Sequence, residues 1–165
     1  MEEKYQVKLS VLVDSLDYCS DVESDGYYII QGTNEVVPYG EDLSEEYLQE
    51  DPLWEYLQSH PCIQLPTSRE LERYAPEWNK DIVYQYIDEM IADAKQKDLL
   101  THAYRSIFHN KITPAFPGST KFRSELGALG RIEEFHQYVV EKFRAHQLEF
   151  IKKWCKENNV EIITE

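Results

Sequence analysis

The sequence predicts an α+β fold, mostly helical, with a small antiparallel sheet and a long C-terminal helix. Three observations carry that expectation. Largely apolar residues recur at Ile132, Phe135, Val139, Phe143, His146, Phe150 and Trp154, spacings of three and four that keep one helical face apolar over Arg131–Asn158. Tyr27-Tyr28-Ile29-Ile30-Gln31 and Glu35-Val36-Val37-Pro38-Tyr39 flank Gly32-Thr33-Asn34, two aromatic and β-branched runs around turn chemistry, hence a hairpin at about 27–38. Two short apolar runs, Cys62-Ile63-Gln64-Leu65 and Val160-Glu161-Ile162-Ile163-Thr164, have strand length. The second is expected to return to the hairpin sheet.

The elements follow in order. Ser10 is a candidate cap for a helix from about Val11 to Cys19, with Asp14 and Asp17 on its polar side. Ser20 to Gly26 is a polar loop. Pro38 cannot donate to a ladder, so the second hairpin strand belongs at an edge. Ser44-Glu45-Glu46-Tyr47-Leu48 begins a helical stretch, and Pro52 suits the first turn of the next, which carries Leu53, Trp54 and Leu57. Ser68 is expected to cap a helix reaching Tyr74. A further helix from Pro76 carries Trp78, Ile82, Tyr86 and Met90, and another starts at Asp98 with Leu99, Ala103, Tyr104 and Phe108. Pro114, Pro117 and Gly118 mark a loop. A short helix capped by Ser119 then carries Phe122, Leu126 and Leu129 and ends at Gly127 and Gly130. In the long helix Glu133 and Glu134 sit in the first turn and Lys152, Lys153 and Lys156 near the end, as the helix dipole favours. Its apolar stripe is expected to take in Val140, Leu148, Ile151 and Cys155, with His146 on the same side. Asn158-Asn159 is a left-handed stop. With 165 residues and 42% hydrophobic content, the chain is read as one domain, 1–165, with a sizeable core.

Charge and cysteine usage narrow the functional classes. The net charge is −14. Residues 1–60 hold 15 Asp/Glu against only Lys4 and Lys8, a sign opposite to that needed for generic binding to nucleic acid or anionic membranes. Such an acidic surface keeps a protein soluble or meets a basic protein partner. No apolar run approaches the ~20 residues needed to span a bilayer, and the start resembles no signal peptide. Cys19, Cys62 and Cys155 are far apart and in no C-x-x-C arrangement, so reduced thiols in a cytoplasmic setting are expected. The 12 tyrosines are expected at half-buried positions, ring inside and hydroxyl wet.

The residues offer little chemistry. Asp21-Val22-Glu23-Ser24-Asp25-Gly26 matches the first half of a calcium loop. Its position 12, however, is Gly32 rather than a bidentate Glu, and a strand replaces the second helix. His60, His102, His109, His136 and His146 form neither H-x-x-x-H nor H-E-x-x-H, and no G-x-S-x-G is present. No metal and no cofactor is expected. The best ligand candidate is Pro117-Gly118-Ser119-Thr120-Lys121-Phe122-Arg123. There a Gly-Ser-Thr turn into a helix offers free N–H groups to an anion, Lys121 and Arg123 add charge, and Arg131 is expected nearby. Gly118, Ser119, Thr120, Lys121, Arg123 and Arg131 are thus the candidate anion-binding residues. An ordinary capped helix start with two exposed bases explains the same pattern.

Val7-Lys8-Leu9-Ser10, the Tyr27–Val37 hairpin, Ile63-Gln64-Leu65-Pro66 and Lys121-Phe122-Arg123 ahead of the long helix together resemble the bacterial Uncharacterised Protein Family 0158. In that family the short helix carries G-A-F-R-R-F-K-D. Here Lys121-Phe122-Arg123 stands for its Arg-Phe-Lys, and Pro117-Gly118-Ser119 replaces the preceding Gly-Ala-Phe. The family's W-Y-x-F-R-D run corresponds to Phe135-His136-Gln137-Tyr138-Val139-Val140, without its Arg-Asp pair. The resemblance implies a compact bacterial cytosolic protein and no reaction. The functional expectation is a non-enzymatic protein-interaction domain with an acidic N-terminal half. The alternatives are an anion or nucleotide binder, or an enzyme, at Gly118–Arg123, and a nucleic-acid mimic.

Overall fold

The computed structural model describes residues 4–19, 22–40, 52–109 and 120–164. The chain is α+β and mostly helical. In order, its described elements are β1 (Tyr5–Lys8), α1 (Leu9–Asp17), β2 (Gly26–Ile30), β3 (Val36–Tyr39), α2 (Pro52–Ser59), β4 (Cys62–Gln64), α3 (Ser68–Tyr74), α4 (Trp78–Met90), α5 (Ala94–His109), α6 (Thr120–Ala128), α7 (Ile132–Glu157) and β5 (Val160–Ile163). They gather into two compact units: 1–74 with 147–165 (unit 1), and 75–146 (unit 2). The expected helix at 44–48 and the Ser119 cap lie outside the described residues.

The described residues of unit 1 form two sheets. The hairpin forms as predicted, with Tyr28 opposite Val37 and Ile29 opposite Val36. β4 joins antiparallel on the other side of β2, pairing Ile29 with Ile63. The order β3-β2-β4 leaves Pro38 on an edge, where its missing N–H costs no ladder bond. The 160–163 strand also forms, but it does not return to the hairpin sheet. It pairs in parallel with β1, Val7 opposite Ile162. β1 is the element that periodicity missed, because four residues leading straight into a helix show no strand alternation of their own. Its pairing holds the backbone extended through Lys8, so α1 starts at Leu9 and Ser10 lies inside its first turn rather than capping it.

The packing of unit 1 centres on Leu12 and Leu16 of α1, Ile29 of β2, Leu57 of α2, Leu65, and Ile151 of α7, all at most 1% exposed. Full burial of each such side chain stabilises the fold by about 1.5–3 kcal/mol. Buried polar groups are bonded: the Ser15 hydroxyl donates to the Pro66 carbonyl at 2.6 Å, and the Gln147 amide donates to Asp17 at 3.1 Å. α3 is capped by Thr67 rather than by Ser68. Glu70 reaches back to accept the Thr67 N–H at 2.7 Å and its hydroxyl at 2.6 Å, the reach-back half of a capping box in a T-x-x-E sequence.

Unit 2 is a helical cluster with an aromatic centre. Phe135 meets Tyr86 at 4.9 Å and Phe122 at 5.4 Å between ring centroids, both edge to face. Tyr104 meets Phe122 at 5.4 Å in the same manner. Such pairs contribute about 0.5–1.5 kcal/mol beyond the area they bury. The tyrosines here lie deeper than expected. Tyr86 is fully buried, and its hydroxyl is bonded to protein. α5 begins at Ala94, four residues before the expected start. Asp93 is its cap, accepting the Gln96 N–H at 2.9 Å.

α7 has 26 residues, about 39 Å at 1.5 Å each. It stops as predicted, with Asn159 in the left-handed region at φ 56°. Its apolar stripe is narrower than the sequence suggests. Phe135, Val139, Ile151 and Cys155 are buried, whereas Val140 is 52% and Leu148 37% exposed. Gln147 takes a buried place instead, because Asp17 satisfies its amide. His146 stacks on Trp78 at 5.3 Å, a boundary histidine.

Candidate functional site

The predicted anion site divides. Gly118 and Ser119 lie outside the described residues. Thr120 opens α6, and Lys121 and Arg123 are exposed in its first turn. Arg131 lies past the other end of this nine-residue helix, about 13 Å long. The helix ends in a Schellman motif: the Arg131 N–H bonds the Leu126 carbonyl at 3.0 Å and the Gly130 N–H bonds Gly127 at 3.1 Å. Gly130 adopts φ +67°, which glycine permits without strain. The same Arg131 accepts the Phe135 N–H at 3.0 Å and so opens α7. One residue therefore closes α6 and starts α7, and its side chain is already bonded.

The Arg131 guanidinium donates to Glu134 Oε1 at 2.8 Å and to the Met90 carbonyl at 3.4 Å. The same Glu134 oxygen accepts the Tyr86 hydroxyl at 2.9 Å. Hydrogen bonding and charge from Glu134 push the Arg131 guanidinium above its ordinary range. Burial, and then Glu134, push the Tyr86 phenol up as well. This triad ties α4 to α7 and uses the charge that an anion would need. A second link runs beside it: the Tyr138 hydroxyl donates to Glu89 at 2.9 Å, with Lys142 4.0 Å from the same carboxylate oxygen. Sequence spacing explains Glu134 by the helix dipole and gives no sign of Tyr86, which is 48 residues away.

The calcium-like loop is also engaged by protein. Glu23 pairs with Arg69 at 3.6 Å and Arg73 at 3.2 Å. The Gln64 amide donates to the carbonyls of Glu23 at 2.8 Å and Asp25 at 3.0 Å. Asp21 is outside the described residues. Among those residues no group of three His, Cys, Asp or Glu is placed to hold a metal ion. The three cysteines are free thiols, and no described helix is long and apolar enough to cross a membrane.

Two features of unit 1 remain open to a partner. The first is charge. Unit 1 carries 7 Lys/Arg against 21 Asp/Glu, whereas unit 2 carries 10 of each. The entire net charge of −14 thus belongs to unit 1. Asp14, Glu35, Glu55, Glu72 and Glu149 are exposed, and no cation among the described residues pairs with them. The second is a groove of about 570 Å³ between α1 and β5, walled by Leu9, Val13, Ile162 and Ile163 and rimmed by Asp14. Sequence reasoning missed it because β1 and its parallel pairing with β5 were not foreseen. No known protein family, curated protein or solved structure matches this chain.

Proposed function

We propose that this chain is a cytosolic, non-enzymatic interaction domain whose acidic unit 1 meets a basic protein partner. The observation that supports this reading is the division of charge by unit. A random scatter of carboxylates would leave both units acidic; here one is neutral and the other carries the whole excess. Like-signed carboxylates without cationic neighbours weaken the compact state slightly, and they gain when a cationic surface arrives. They steer encounter and exclude like-charged competitors more than they add affinity. The opposing bases that an anion-binding reading needs are sparse, since Arg131 is bonded to Glu134.

The test is a partner captured from host lysate on the immobilised full chain, identified, purified and rebound across ionic strength. Between about 0.05 M and about 0.5 M salt the screening length falls well below the spacing of surface charges. Affinity should drop steeply over that range. The fourfold variant Glu35→Gln, Glu55→Gln, Glu72→Gln and Glu149→Gln should bind more weakly at low salt and depend less on salt. Binding that ignores both ionic strength and the fourfold variant overturns the proposal.

A further inference from the structure

We infer that the α1–β5 groove is where unit 1 seats its partner, taking an extended segment with a large apolar side chain beside Lys or Arg. This rests on the reading of unit 1 as an acidic interaction surface and adds its place and its chemistry. The starting point is a mismatch in burial. Val7 and Ile162 are register partners in the parallel pair, so their side chains share one face of the sheet. Val7 is 2% exposed and Ile162 is 37% exposed. At this register position the shared face is thus covered on β1 and uncovered on β5, although Val160, earlier on the same face of β5, is buried. The uncovered position opens on the groove, where Leu9 and Val13 supply the opposite wall.

An apolar side chain entering there would complete that face, removing Ile162, Leu9 and Val13 from water. Asp14 on the rim is exposed and has no cationic partner among the described residues, so a neighbouring Lys or Arg of the ligand meets it. β5 pairs only with β1 among the described residues, which leaves its outer edge to receive main-chain hydrogen bonds from an extended segment. A second copy of this chain is the wrong occupant. Each unit 1 carries the full −14, and bringing two together opposes like charge to like charge.

The experiment titrates the isotope-labelled full chain with three short peptides of equal length, alternating Val/Lys, Val/Glu and Ser/Lys, and follows backbone amide shifts. The Val/Lys peptide should move the amides of Leu9 to Asp14 and Ile162 to Thr164, and the other two should leave them in place. Ile162→Asp, at a position already part-exposed, should weaken Val/Lys binding about tenfold, or 1.4 kcal/mol, without changing the rest of the spectrum. Asp14→Lys should do the same. Shifts confined to Glu35, Glu55 and Glu72 would remove the groove and leave the acidic interaction standing. Equal response to Ser/Lys and Val/Lys at the groove would remove the apolar anchor. No response to either Lys peptide would count against groove and acidic interaction alike.

Discussion

The Tyr86 hydroxyl, on a fully buried ring of α4, donates to Glu134 of α7 at 2.9 Å, and Arg131 bonds the same carboxylate oxygen. Removing one member therefore disturbs the other two. Tyr86→Phe deletes a hydrogen bond and leaves Glu134 paired with Arg131, a cost of about 1 kcal/mol. Glu134→Ala leaves the phenol without its acceptor and should cost about 2 kcal/mol. Urea unfolding of both variants and the double variant should show about 1 kcal/mol of coupling. Strictly additive losses would mean that the triad does not act as a unit.

Two glycines are held for different reasons, and alanine should separate them. At Gly130, φ is +67° and a Cβ would meet nothing within 4 Å. The loss is backbone strain alone, about 1 kcal/mol, and asparagine should recover much of it. At Gly26, φ is +146° and a Cβ would lie 3.2 Å from Thr67 Cγ2 and 3.4 Å from Gln64 Nε2. Strain and crowding add there, so Gly26→Ala should cost about 2–3 kcal/mol. Equal losses in thermal or urea unfolding would contradict this order.

These residues also show how far the sequence reaches. Local signals were legible where the physics is local: the hairpin turn, the Pro52 helix start and the Asn159 stop each depend on a few neighbours. The long helix was legible because its period persists over 26 residues. Pairings between distant segments were not. The β1–β5 ladder joins residues about as far apart as the chain allows, and no pattern in Tyr5–Lys8 announces it. The candidate site suffers in the same way. Arg131 reads as a free base beside Lys121, although Glu134 is its i,i+3 neighbour, and only the fold brings Tyr86 to the same carboxylate.

The three thiols should react in order of access. Cys19 is exposed, Cys62 is half-buried with its Sγ 3.1 Å from the Leu57 carbonyl, and Cys155 is 5% exposed. Burial pushes the Cys62 thiol up, and pushes Cys155 up to about 11. Since the thiolate is the reactive species, Cys155 is slow on both counts. Timed alkylation followed by peptide mass spectrometry should label Cys19 first and Cys155 only as the protein unfolds. Early labelling of Cys155 in native buffer would show that its surroundings open.

Alkali should destabilise the fold through its buried phenols. Burial pushes Tyr28 in unit 1 and Tyr104 in unit 2 up to about 12, from an ordinary value near 10. A phenol whose folded pKa is raised favours the folded state fully below about pH 10. Above that the unfolded chain loses its protons first, so the contribution declines until the folded phenol titrates near pH 12. The urea midpoint should therefore fall as pH rises from about 10 to about 12. Tyr104→Phe, which keeps the ring against Phe122 but cannot ionise, should make that fall shallower. If the variant and the parent lose stability in parallel across this range, Tyr104 is not among the groups that set the alkaline limit.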